Sequence, residues 1–182
     1  MTDDSLLREV VAFWREAGHE RWYTPDADFD AAVRDRFFAL WREAAAGQFT
    51  SWEHSDEGAL ALVIVLDQFP RNMFRGDAKA FSSDALAREV ANRALQRGVD
   101  RRMEPPLLQF LYLPFMHSEH LPDQIRCVEL FRAGDNAENL GYAEIHADII
   151  RRFGRFPHRN RILRRITTPE EQAFLDAGGF SG

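Results

Sequence analysis

Lysine is almost missing from this sequence, cysteine nearly so, and no stretch of it is apolar for long enough to cross a bilayer. Lys79 is the only lysine, so arginine carries nearly all of the positive charge. Cys127 is the only cysteine, which excludes an intrachain disulfide framework and makes a reducing, cytoplasmic setting the expectation. The longest apolar run, Ala59 to Leu66, falls far short of the roughly 20 residues that a helical span needs. The opening MTDDSLLREVVAF is acidic and amphipathic where a secretory leader would be basic and then apolar, so no leader is expected. Apolar and polar residues almost nowhere alternate, which removes the usual signal for half-buried strands.

The common chemical signatures are absent too. The sequence has no H-E-x-x-H, no paired-cysteine motif and no calcium loop. It has no P-loop, dinucleotide fingerprint or nucleophile elbow. The residues therefore specify neither a metal nor an organic cofactor, and they leave open whether the chain is an enzyme. A formal net charge of −6 argues against general nucleic-acid binding. The exception is residues 151–165, RRFGRFPHRNRILRR, with seven arginines and no acid. In a helical protein such a run is more often a solvated or acid-paired face than a phosphate-binding strip.

What is present is a globular composition, 45% apolar and 12% aromatic with Phe dominant, in a chain of 182 residues that is long enough for one self-sufficient domain. Apolar residues recur at three and four positions, which predicts an all-α fold of about eight helices over residues 1–182. The first spans roughly 3–17, with Leu6, Leu7, Val10, Val11, Phe13 and Trp14 on one side and Gly18 as its stop. The second opens at Thr24-Pro25-Asp26, with Thr24 as cap, and runs to Gly47. The third, about 56–69, is apolar all round in ALALVIVL and is the expected central helix. Others are expected at 83–97, 105–116, 119–132 and 136–153. The last begins at the capping box Thr168-Pro169-Glu170-Glu171. Short connectors favour antiparallel hairpins, stacked side by side.

Three polar motifs stand where these helices should break. The first is Asp67-Gln68-Phe69-Pro70-Arg71-Asn72, in which Pro70 is expected to end the central helix and turn Arg71 and Asn72 out of its axis. Asp67, facing burial, needs a cationic partner, with Arg71 or Arg75 in reach. The second is the corner His117-Ser118-Glu119-His120 with Asp123 and Gln124, where Ser118 is placed to cap the following helix. The third is Arg155-Phe156-Pro157-His158-Arg159-Asn160 after Gly154, an echo of the first motif with one inserted residue. Helical spacing sets His146 on the core side of its helix, beside Tyr142, Ile149, Ile150 and Phe153. His146 and Asp148 lie two apart, which prevents them from converging on a metal.

With FWREAGHERWYTPDADFDAAVRDRF (13–37), the segments LDQFPRNMFRG (66–76), LYLPFMHSEHLPDQ (111–124) and HADIIRRFGRFPHRN (146–160) resemble the bacterial domain of unknown function numbered 924, over nearly the whole chain. The resemblance implies a tetratricopeptide-like helical fold and carries no assigned activity. Its signature positions here are Asp67, Gln68, Arg71, Asn72, His117, Ser118, Glu119, Asp123, Gln124, Arg155, Pro157, His158, Arg159 and Asn160. One departure is Arg15-Glu16, where members of the family often continue with an aromatic residue.

These readings converge on an expectation that the motifs share a cleft for a small anionic molecule. Guanidinium forks with amide partners suit a carboxylate or phosphate. Asp67, Gln68, Arg71, Asn72, His146, Arg155, Arg159 and Asn160 would bind it, with Arg71, Arg159 and Asn160 orienting the anion. His117 and His158 would move protons, and Asp67 or Glu119 would hold a histidine tautomer. The alternative is a helical module for a protein or peptide partner, whose groove would use Trp22, Tyr23 or Trp52 while the motifs only lock helix ends. No membrane partner is expected in either case.

Overall fold

The computed structural model describes residues 3–134 and 136–181. Among them every regular element is helical and none is a strand. They form two compact units, one up to Pro114 and one from Phe115 onward.

The first unit begins with α1 (Asp3–Tyr23), which buries Leu7, Val10, Val11 and Trp14, the i, i+3, i+4, i+7 stripe of an amphipathic helix. Gly18 does break it, at φ +71°, a conformation open to glycine because it lacks a Cβ. The helix then resumes to Tyr23 where a stop had been expected. The cap of α2 (Ala27–Ala45) also differs from expectation. Asp26, and not Thr24, accepts the N–H groups of Asp28 and Phe29. A carboxylate two residues later outcompetes the hydroxyl because it also opposes the positive end of the helix dipole.

A short 3₁₀ turn, Thr50–His54, leads to α3 (Asp56–Val63), capped by Ser55. Every residue from Gly58 to Pro70 is buried, and α3 packs against α1 and α5 (Asp84–Gln96), so the all-apolar helix is central to its unit as its composition demands. The predicted break at Pro70 does not occur. The helix widens through a π turn, Ile64–Gln68, and continues as α4 (Phe69–Met73). The Phe69 N–H donates to the Ile64 carbonyl five residues back. That extra residue makes room for the proline ring, which otherwise collides with the carbonyl of residue i−4. The carbonyl in question, on Leu66, accepts from the Ser83 hydroxyl at 2.6 Å.

In this unit the main helix pairings skip a neighbour: α1 with α3, α3 with α5, α2 with α4. Rings fill the space between them. Phe37 stacks on Phe69 at 4.7 Å, and Trp14 meets Phe69 and Phe110 edge-on at 5.7 and 5.5 Å. The helix expected at 105–116 is instead a 3₁₀ turn, Leu107–Leu111, and the four-residue α6 (Leu113–Met116). Pro105, Pro106 and Pro114 each lack the N–H that a continuous helix would require.

In the second unit α7 (Leu121–Ala133) packs on α8 (Ala137–Phe153), and α9 (Pro169–Asp176) lies against the 3₁₀ turn Pro157–Arg159. Its apolar core gathers Ile149, Ile150 and Phe156, with Phe153, Phe174 and Phe180 packed beside them. Cys127 is fully buried on α7, and burial pushes its thiol up to about 12. The capping box at Thr168 and Glu171 is formed as its letters predict. Among the described residues no helix is long and apolar enough to cross a membrane.

Candidate functional site

The first motif lies in the first unit, and its polar groups are committed to one another. Asp67 is wholly buried. Arg71 lies 3.2 Å from its carboxylate and donates to its backbone oxygen at 2.6 Å. The other face of Arg71 forms a two-pronged pair with Asp84 at 2.8 and 2.9 Å. Burial disfavours the charged guanidinium, but Asp67 and Asp84 outweigh it and raise the pKa further. Gln68 donates to Asp67, and Asn72 donates to Asp30, which Arg75 also holds. Arg71 and Asn72 thus remain within α4, turned toward their own unit's carboxylates. The echo with the third motif is one of letters only, since Arg159 and Asn160 follow a true stop at Gly154 (φ +69°).

The second and third motifs come together in the second unit. The corner is fastened by Gln124, wholly buried, whose amide donates to the carbonyls of Met116 at 2.7 Å and Ser118 at 2.6 Å. Ser118 donates to Asp123 and accepts the His120 N–H, while the cap of α7 is His120 itself and not Ser118 as predicted. Arg159 then reaches across to the corner, donating to the His117 carbonyl at 3.0 Å.

Glu119, expected with Asp67 as a holder of a histidine tautomer, is engaged by an arginine and a backbone amide. It accepts two bonds from Arg165 at 2.8 Å each and one from the Phe156 N–H at 3.0 Å. Burial pulls its carboxyl up, and those partners more than reverse the effect. Glu171 plays the equivalent part for Arg155, accepting at 2.5 and 2.8 Å, and also receives Asn160 at 3.1 Å. The Arg155 bonds, followed by the Thr168 N–H, draw its carboxyl down to about 2 against the opposing effect of burial. Both arginine-carboxylate pairs join distant stretches of chain, which the spacing of the sequence does not reveal; only the capping box singled out Glu171.

Phe156 is the hub of what remains. His146 meets its ring at 5.4 Å, His158 at 5.5 Å, and the Arg159 guanidinium stacks 4.4 Å from its centroid. Phe180, which no sequence signal marked, touches both imidazoles, at 4.5 Å from His146 and 5.4 Å from His158. His146 Nδ1 lies 2.7 Å from the Tyr142 carbonyl, so that nitrogen carries the proton and Nε2 keeps a lone pair. Burial lowers His146 to about 4, against the Tyr142 bond and reinforced by the charges of His117, Arg159 and His158. Burial, then Arg159, takes His158 to about 4 as well. Its Nδ1 is buried and bonded to no other group among the described residues. At neutral pH the cluster is therefore two uncharged imidazoles beside a buried, charged guanidinium.

The arginine-rich run is largely acid-paired. Arg151 and Arg152 face Asp148, Arg155 faces Glu171 and Arg165 faces Glu119. The aromatics expected to line a peptide groove are mostly occupied. Trp52 is buried, and Trp22 packs on Trp14 and Phe110 and donates to the Trp14 carbonyl. Tyr23 is exposed but donates to Gln109. No group of three or more His, Cys, Asp or Glu among the described residues is arranged to hold a metal.

Comparison with known proteins agrees with this architecture. No curated protein matches the chain. A solved structure of a protein of unknown function, ATU0120 from Agrobacterium tumefaciens, matches with a TM-score of 0.94 at 44% identity, covering 97% of this chain and 100% of the other. The model for a family of bacterial proteins of unknown function, DUF924, matches residues 10–179. With its three polar motifs in place and nearly its full length matched, the chain belongs to the DUF924 family.

Proposed function

We propose that the second unit binds a small anion, a carboxylate or phosphate, at the cluster of His117, His146, His158 and Arg159. The observation that carries this reading is the set of two neutral imidazoles and one guanidinium gathered on the Phe156 ring. A buried cation with its planar fork supplies the attraction. The free Nε2 of His146 and the unbonded Nδ1 of His158 supply positions that accept or donate a proton to the ligand's oxygens. Arg155 and Asn160 support the site through Glu171. Proton transfer to a bound substrate by His117 or His158 is the catalytic extension of the same reading. The tetratricopeptide-like stacking implied by the family resemblance belongs among these proposals too.

The test is a thermal-shift screen against phosphate, carboxylates and their esters, beside Arg159→Gln and His146→Phe. A ligand that binds the native state raises its melting temperature at concentrations well above Kd. The expected result is stabilisation of the wild type by one anion class, lost in both folded variants. Stabilisation by none of them would make the cluster a packing feature. The competing reading would then be a protein-interaction surface, favoured by Tyr142 and Ile145, 49% and 47% exposed and one turn apart on α8.

A further inference from the structure

The only lysine of the chain sits where no arginine does. Many of the arginines in the first unit lean on carboxylates: Arg36 on Glu9, Arg71 on Asp84, Arg75 on Asp30, Arg93 on Glu53, Arg102 on Asp56. The Lys79 ammonium has no carboxylate partner among the described residues, although the backbone N–H of the same residue donates to Asp77. Its Nζ lies instead 4.5 Å from the ring centre of Phe74, 5.0 Å from Trp41 and 5.2 Å from Phe38.

Those three rings make a corner. Trp41 and Phe74 meet at 61°, Phe38 and Phe74 at 73°, Phe38 and Trp41 at 41°. A flat guanidinium prefers to stack on one face, whereas a tetrahedral ammonium can meet three inclined faces at once. The back wall is rigid. Trp41 is buried, and its indole N–H donates at 3.1 Å to Ser83, the same hydroxyl that closes the carbonyl opposite Pro70. The front is open, with Phe38 37% exposed and Lys79, itself exposed, arriving from the 3₁₀ turn Ala78–Phe81. A rigid, ring-walled corner with one flexible occupant is the arrangement that recognises alkylated ammonium groups, which give up less hydration than a primary ammonium on entering it.

We propose that Phe38, Trp41 and Phe74 form a binding site for an alkylated ammonium group, of the quaternary-amine class, and that Lys79 fills it in the free protein as a built-in competitor. The site lies within the first unit and does not depend on the anion site proposed above.

Because Lys79 is the only lysine, its ε-methylene gives one NMR signal of its kind. In the free protein that signal is shifted upfield by the rings. Titration with tetramethylammonium chloride is expected to return it toward the solvent value, while matched sodium chloride does not. Lys79→Ala should bind tetramethylammonium about tenfold more tightly than the wild type, read from the Trp41 indole N–H, since it removes an internal cation held by ring contacts. Phe74→Leu in the Lys79→Ala background, checked for intact helicity, should abolish that binding. The proposal is overturned if Lys79→Ala binds no more tightly than the wild type, or if Phe74→Leu leaves the binding unchanged.

Discussion

Phe69-Pro70-Arg71-Asn72 and Phe156-Pro157-His158-Arg159-Asn160 share most of their letters and almost none of their structure. In the first, proline is absorbed by a π turn, and the arginine is clamped between two carboxylates inside a continuing helix. In the second, a glycine has already ended the helix, and the arginine lies on an aromatic ring with its fork turned to a backbone carbonyl. The difference comes from what precedes each proline. Residues 59–66 are apolar on all sides and buried, so leaving the helix there would expose core, and widening the turn costs less than breaking it. At Gly154 a left-handed cap is available at little cost, and the chain departs.

The contrast can be broken by substitution. Arg71→Ala removes the guanidinium that pairs with buried Asp67 and with Asp84 and should cost ~3–5 kcal/mol in urea unfolding. Arg159→Ala removes stacking and one bond to a carbonyl, and should cost only ~1–2 kcal/mol. Equal costs would mean that the two segments are held in the same way after all. Glu171→Gln removes the charge that holds Arg155 and Asn160 and should cost about 2 kcal/mol at pH 7. The Glu171 carboxyl lies below its ordinary value when folded, so its contribution is full above about pH 4.5 and is lost as pH falls toward 2.

The histidines titrate earlier. His146 and His158 are both depressed to about 4 in the folded chain, so the unfolded chain binds the extra protons. Their contribution is intact above about pH 6.5 and declines as pH falls through 4. For His146 the loss between pH 7 and pH 5 is expected to be up to about 2 kcal/mol, and His146→Phe should flatten that part of the stability profile. An unchanged slope would remove the neutral-imidazole reading of the second segment. An effect as small as that of Arg159→Ala concerns the π turn. Ser83→Ala strips the Leu66 carbonyl and the Trp41 indole of one shared partner and should cost ~1–2 kcal/mol, with Ser83→Thr closer to wild type.

Much of the fold was legible because its signals are local. The apolar periodicity, the stop at Gly154 and the Thr168 capping box each depend on neighbours within one helical turn, and each is found where the letters place it, whereas Gly18 kinks its helix without ending it. The π turn was not legible, since its cause is the burial of the preceding residues and its closure comes from Ser83, seventeen positions away. The cap at Asp26 was missed because Thr24-Pro25 offers a competing local solution. For the candidate site, spacing placed His146 on the core face and the His117 corner at a turn. It could not supply Phe180, Arg165 or the Glu119 pairing, because those contacts join segments that only folding brings together. Arg15 and Glu16, the departure from the family pattern, are both exposed on α1.

Cys127 gives the second unit a built-in clock. Its sulfur is buried and its thiol is held protonated well above neutral pH, so a thiol reagent finds almost no thiolate to attack while the helices around it are closed. Labelling must wait for α7 to open, and with no second cysteine in the chain the modification rate counts those openings alone. The kinetics of the second unit can thus be followed in the unaltered protein, with no engineered probe.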